Sequence, residues 1–145
     1  MNNINNFLSA FEKEMTSLER YVCYDFFFYD LINDPEDYSQ EALSLYREYK
    51  ANPSDYFKTL MNWEKELLDD PDDFWLEEIP ANFDLRGLSP KEYLIELIIE
   101  ELQEEPIEVN WSGEFSIEFL CSVCCYDIFF ETTKSVYWLS FGIYD

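Results

Sequence analysis

Residues Ser89–Trp111 read SPKEYLIELIIEELQEEPIEVNW, and their hydrophobic period changes at Pro106. Before it, Leu94, Ile95, Ile98, Ile99 and Leu102 recur at the spacing of one helical face; after it, apolar and polar residues alternate, as in a half-buried strand. Ser89 can cap the helix, Pro90 suits its first position, and Glu92 stands three residues on as in a capping box. Helices are therefore expected before this point and a sheet after it. The fold class that follows is α+β, with about four helices in the N-terminal two-thirds packed on one face of a C-terminal three- or four-stranded antiparallel sheet.

Working outward toward the N-terminus, Ile4, Phe7, Leu8, Phe11, Met15, Leu18 and Val22 form one stripe of a helix expected from Asn2 to about Tyr29. Its end is ambiguous, because YVCYDFFFYDLI (residues 21–32) is aromatic nearly all round, but Asn33, Asp34 and Pro35 stop it. Ser39 to Lys50 reads as a second helix. Asn52 as a cap with Pro53 behind it predicts a third, running to about Leu68. Toward the C-terminus, Ile107–Trp111, Glu114–Tyr126 and Val136–Tyr144 read as strands of a meander, with turns at Ser112–Gly113 and Thr132–Ser135. Phe115, Ile117, Phe119, Cys121 and Val123 share one face of the middle strand, and Tyr137, Leu139, Phe141 and Ile143 one face of the last. No repeat or flexible linker divides the chain, so residues 1–145 are expected to form a single domain.

Charge separates this chain from an ordinary domain of its size. Nine Lys and Arg stand against 32 Asp and Glu, a formal net charge of -23 in 145 residues, yet 48% of the residues are hydrophobic and 19% aromatic. The apolar content is enough for a folded core, while the charge opposes compaction and disfavours nucleic acid and anionic membranes as direct partners. The expected partner is a basic protein. MNNINNFLSAFEKE lacks the basic start and apolar run of a secretory signal, and no span of about 20 apolar residues suits a membrane helix, so the protein is expected in the cytoplasm with reduced cysteines.

The acids are also arranged. Glu92, Glu96, Glu100 and Glu104 recur at i, i+4 along the helix, where like charges repel, and no Lys or Arg occurs between Lys91 and Lys134. On the same wheel Tyr93 and Leu97 fall among these glutamates, as two anchors inside an acidic field would. A second knot, Asp69, Asp70, Asp72 and Asp73, follows the third expected helix, with Trp75 behind it. The candidate partner-binding residues are thus Glu92, Tyr93, Glu96, Leu97, Glu100, Glu101, Glu104, Asp69, Asp70, Asp72, Asp73 and Trp75.

Catalytic and metal chemistry find little support. The chain has no histidine and three glycines, so neither a His-based triad nor a Gly-rich phosphate loop can be written. Cys121, Cys124 and Cys125 form a C-x-x-C-C run without a second knuckle, and their alternation along a strand scatters them; zinc wants four converging ligands. In the Asp69–Asp73 knot Pro71 interrupts the alternating acids of a calcium loop, and Trp75 and Leu76 occupy the region where its glycine would be needed. No catalytic residue, metal or cofactor is expected, and the chain is expected not to be an enzyme.

In charge, length and α+β outline the chain resembles phage- or plasmid-encoded DNA mimics of the anti-CRISPR and anti-restriction type. That resemblance implies an inhibitor whose carboxylates replace phosphates in the basic groove of a nuclease. The other use of the same acidity is an immunity protein or antitoxin that neutralises one cognate toxic nuclease. A scaffold role, with exposed strand edges pairing with another chain, is a third.

Overall fold

Both faces of the central sheet are buried, and this explains most of the element order. The computed structural model describes residues 2–18, 23–69, 84–113 and 124–144. Their elements run α1 (Asn2–Leu18), β1 (Cys23–Asp30), α2 (Ser39–Ala51), β2 (Phe57–Thr59), α3 (Trp63–Asp69), α4 (Pro90–Leu102), β3 (Glu108–Ser112), β4 (Cys124–Glu131) and β5 (Val136–Tyr144). The strands form one antiparallel sheet in the order β1-β5-β4-β3-β2. The α+β class holds, but the sheet has five strands, and β1 and β2 come from between the helices.

Period two then sorts the side chains. The register aligns Phe28, Leu139, Ile128 and Trp111 across four strands. With Phe26, Phe130, Tyr137 and Phe141 they face the core formed with α1, α3 and α4. The alternate residues Phe27, Phe129, Val136 and Trp138 face the other way, where α2 covers them with Ala42 and Tyr46. Tyr46 stacks on Phe129 at 4.4 Å between ring centroids. Helices expected on one face therefore lie on both.

That arrangement corrects the first helix. YVCYDFFFYDLI is apolar on both sides because its central residues form strand β1 between two covered faces, and such a strand loses the alternation that would announce it. The third helix also starts later than expected. Asn52 ends α2, donating its N–H to the Glu48 carbonyl at 3.0 Å, and the chain turns through 53–56 into β2. Leu60 N–H then bonds to the Val109 carbonyl at 2.8 Å before α3 begins at Trp63. Of the expected strand Glu114–Tyr126, residues 114–123 lie outside the described residues; β4 is seen from Cys124 onward. Residues 132–135 make the expected turn, and β5 has the expected bounds.

The outer edge of β1 is occupied from within. Asn5 on α1 accepts from Phe28 N–H at 2.9 Å and donates to the Phe28 carbonyl at 2.8 Å. Glu12 accepts from Phe26 N–H at 3.3 Å, and burial holds its carboxyl above its ordinary range. Side chains of α1 thus meet the backbone groups that a foreign strand would need at these positions.

Helix α4 starts as its sequence predicts. Ser89 Oγ accepts from Glu92 N–H at 3.2 Å, and Glu92 Oε1 accepts from Ser89 N–H at 3.0 Å. Ser89→Ala is expected to cost about 1 kcal/mol, read as a lower urea midpoint with unchanged slope. An unchanged midpoint would mean that the box contributes nothing to the native state.

Candidate functional site

Helix α4 buries an arc of about 200°, running from Tyr93 through Leu97, Leu94, Ile98 and Leu102 to Ile95 at 100° per residue. One neighbour cannot cover so wide an arc, and α4 packs against α1 and α3 as well as facing the sheet. Tyr93 and Leu97, expected among exposed glutamates, are consequently core residues, at 8% and 3% exposure. The Tyr93 ring meets Phe7 of α1 edge-on at 4.9 Å. As surface anchors these two are corrected. Ile99, expected in the core, lies beyond the end of the arc and is 42% exposed.

The glutamate ladder is not a uniform row either. Glu92 is held in the capping box, and its bonds to the Ser89 backbone and side chain lower its pKa. Glu100 binds Arg86 at 3.0 Å, and the guanidinium also lies over the Tyr93 ring, 5.6 Å from its centroid. The carboxylate raises the Arg86 pKa still further. Glu104 accepts from Thr133 Oγ1 at 2.7 Å and from Thr133 N–H at 2.5 Å, and these bonds lower its pKa. Glu96 stays exposed at the middle of the helix, and Glu101 is partly buried. The ladder's ends are therefore fixed by the connector before α4 and by the β4–β5 turn.

Asp69 ends α3 and is exposed. Asp70, Asp72, Asp73 and Trp75 lie outside the described residues, so the structure does not relate this knot to α4. Cys121 is likewise outside them, while Cys23, Cys124 and Cys125 pair through their backbones with Tyr144, Ile143 and Gly142. No metal-binding group of three or more His, Cys, Asp or Glu occurs among the described residues, and no helix among them is long and apolar enough to cross a membrane.

The structure adds a groove that the sequence reading missed. It lies between the start of α3 and the end of α4, has a volume of about 340 Å³, and is lined by Trp63, Glu64, Ile99, Glu100, Leu102, Gln103, Glu104, Glu105 and Pro106. Gln103 makes it possible: at φ 60° it takes the left-handed conformation, donates to the Ile99 carbonyl at 3.2 Å, and turns the chain off the helix toward β3. Trp63 and Leu102 are buried beneath, and the Trp63 ring is braced edge-on by Phe130 at 5.1 Å. Four carboxylates surround this apolar floor. The last turn of α4 contains no basic residue, so they gather at the negative end of the helix dipole. Met61 and Ile107, two residues before Trp63 and next to Pro106, are 89% and 66% exposed.

A second polar cluster sits on the α2 side of the sheet. Lys50 Nζ lies 2.7 Å from both Glu108 and Glu131, Tyr46 donates to Glu131 at 2.7 Å, and Asn110 donates to the Tyr46 hydroxyl at 2.8 Å. Burial and the neighbouring Glu131 push the Tyr46 hydroxyl up, away from any role as a base near neutral pH. These bonds join α2 to β3 and β4, and the cluster is read as a clamp.

No protein-family model and no curated protein matches this chain. Among solved structures, the chain is similar to one described as the crystal structure of citrus MAF1, with 14% identity and a TM-score of 0.48 over 95% of this chain and 98% of that one. At that level the likeness carries no argument about fold or function.

Proposed function

We propose that the chain is a non-enzymatic acidic inhibitor that docks on the basic, nucleic-acid-binding surface of another protein, a nuclease above all. The observation that carries this reading is the net charge of -23 on a chain with a well-packed core. Such a charge costs stability by self-repulsion and acts over about 8 Å at physiological salt, where it speeds encounter with a cationic groove. A DNA mimic of the anti-restriction or anti-CRISPR type would use it this way.

One observation favours the second reading, an immunity protein or antitoxin with a single cognate nuclease. A phosphate mimic needs a repeating row of free charges, roughly one per 1.7 Å of duplex axis. Three of the four ladder glutamates, Glu92 and Glu100 on α4 and Glu104 just past its end, are instead committed within the chain. The groove offers a discrete, partly apolar feature, as tight one-to-one interfaces use.

A capture experiment from lysate at about 0.15 M salt tests the common reading. Immobilised protein is compared with a Glu96→Lys/Glu105→Lys variant, which changes exposed residues and spares the Arg86–Glu100 pair. Wild type is expected to retain a nucleic-acid-binding protein that DNA or RNA displaces, and the variant at least ten times less of it. Equal retention by both, or no displacement by nucleic acid, would overturn it. Displacement of one nuclease alone selects the immunity reading; displacement of several unrelated ones selects mimicry.

A further inference from the structure

We infer that the groove between α3 and α4 is an arginine pocket, filled by one arginine side chain projecting from the partner's basic surface. The inference rests on the inhibitor reading for the identity of its partner, while the chemistry of the pocket stands on its own geometry.

Three features of the groove match that side chain. Its floor of Trp63, Ile99, Leu102 and Pro106 suits an aliphatic stem and the weakly hydrated face of a guanidinium, and at its rim Glu64 and Glu105 supply acceptors, beside Glu100 and Glu104, which already bond Arg86 and Thr133. A volume of about 340 Å³ lies at the small end of ligand sites, which span roughly 300–1,000 Å³, so it suits a side chain better than a folded element. The rim is also partly pre-set, because Thr133 holds the Glu104 carboxylate in place.

The chain itself shows that a carboxylate of α4 accepts a guanidinium beside an apolar surface. Arg86 docks on Glu100 through one carboxylate oxygen and lies over the Tyr93 ring, combining an ionic acceptor with an apolar surface. The groove repeats that combination around Glu64 and Glu105, with Trp63 and Ile99 as the apolar surface and without a basic residue from the last turn of α4. A cation there would also meet the negative end of the helix dipole. Exposed Met61 and Ile107 flank the groove in the chain and would shield the buried charge pair from water once a partner is seated.

Arginine is favoured over lysine for a stated reason. A compact ammonium is strongly hydrated and loses more on entering a partly apolar groove, whereas the planar guanidinium offers five donors to carboxylates at different heights on the rim.

The test uses the whole chain, titrated with acetyl-Gly-Arg-Gly-amide and with its lysine and citrulline counterparts, and read by NMR at low ionic strength. The arginine peptide is expected to shift the Trp63 indole and the amides of Ile99 to Gln103, saturating in the low millimolar range. Lysine should bind severalfold more weakly, and neutral citrulline should not bind measurably. Ile99→Trp, which fills the groove from an exposed position, and Glu105→Gln are each expected to weaken the arginine peptide at least tenfold and severalfold respectively, with Glu96→Gln unchanged. Shifts spread over every acidic surface, equal binding of citrulline, or indifference to Ile99→Trp would overturn the pocket. Lysate capture by the Ile99→Trp variant separates the two ideas. Loss of nuclease capture supports both, undiminished capture removes the pocket and leaves the inhibitor reading, and peptide binding without any nuclease capture removes the inhibitor reading and leaves the pocket.

Discussion

Leu97→Asp is expected to abolish the native state. Leu97 is 3% exposed in the core shared by α1, α4 and the sheet. Truncating such a leucine costs about 2–5 kcal/mol, and a carboxylate placed there adds a desolvation penalty. A loss of about 4 kcal/mol or more would consume most of a stability at the low end of the 5–15 kcal/mol typical of a domain, the end toward which self-repulsion pushes so acidic a chain. Near-UV circular dichroism and urea unfolding should show a chain without fixed tertiary packing at room temperature. Ile99→Asp, two residues on and 42% exposed, should stay within about 1 kcal/mol of wild type. Were Leu97→Asp to fold with a near-normal midpoint and lose only partner binding, Leu97 would be the surface anchor that the helical wheel suggested.

The contrast between those two residues shows why the sequence misassigned them. A helical wheel places Tyr93 and Leu97 beside Glu96 and Glu100, and nothing local reveals that α1 lies against that flank. The pattern sees one apolar face; the fold supplies several neighbours. Signals that depend only on adjacent residues were readable. The capping box at Ser89 and Glu92, helix α2, the turn at 132–135 and the bounds of β5 all follow from local chemistry. Strand β1 was hidden because burial on both faces removes its alternation, and β2 because Asn52 and Pro53 imitate a helix start. The groove was hidden for a third reason: it exists only where α3 and the turn at Gln103 meet, and neither Trp63 nor Pro106 announces the other in sequence.

The same reasoning changes what the acidic ladder means. As a pattern it looked uncompensated, since no Lys or Arg lies between Lys91 and Lys134. Compensation comes from outside the helix: Arg86 from the preceding connector, Thr133 from the β4–β5 turn, and the backbone of Ser89. Acid that is spent within the chain cannot also imitate phosphate. What remains for a partner is Glu96 on α4 and, at the rim of the groove, Glu64 and Glu105, a smaller and more specific surface than a charged row.

Lys50→Met is expected to cost about 2 kcal/mol at neutral pH and much less well below the ordinary carboxylate range, a dependence that distinguishes an electrostatic clamp from simple packing. Lys50 bridges Glu108 and Glu131 at 2.7 Å, with side chains about a quarter to a third exposed. Breaking a fully buried pair costs about 3–5 kcal/mol and an exposed one under 1, so partial screening sets an intermediate value. Burial raises the Glu131 pKa, but bonds from Lys50 and Tyr46 outweigh it and leave the carboxyl below its ordinary range. That contribution is present above the unfolded carboxylate pKa, near 4.3, and is lost as pH falls through the lower folded value. Burial alone would lower the Lys50 pKa, yet its two glutamate bonds raise it, so its share persists below the unfolded value near 10.4 and is lost as pH rises through the folded one. In the variant the lysine is gone, and burial of Glu131 is opposed by the Tyr46 bond and by Arg47. The folded pKa of Glu131 should then lie above the wild-type one, so acidification should cost the variant less stability than it costs wild type. Urea midpoints measured from about pH 2 to 8 should therefore converge at the acid end, and Lys50→Met/Glu131→Gln should recover part of the loss at neutral pH. A deficit of the same size across that range would assign Lys50 to packing of its stem and remove the charge from the clamp.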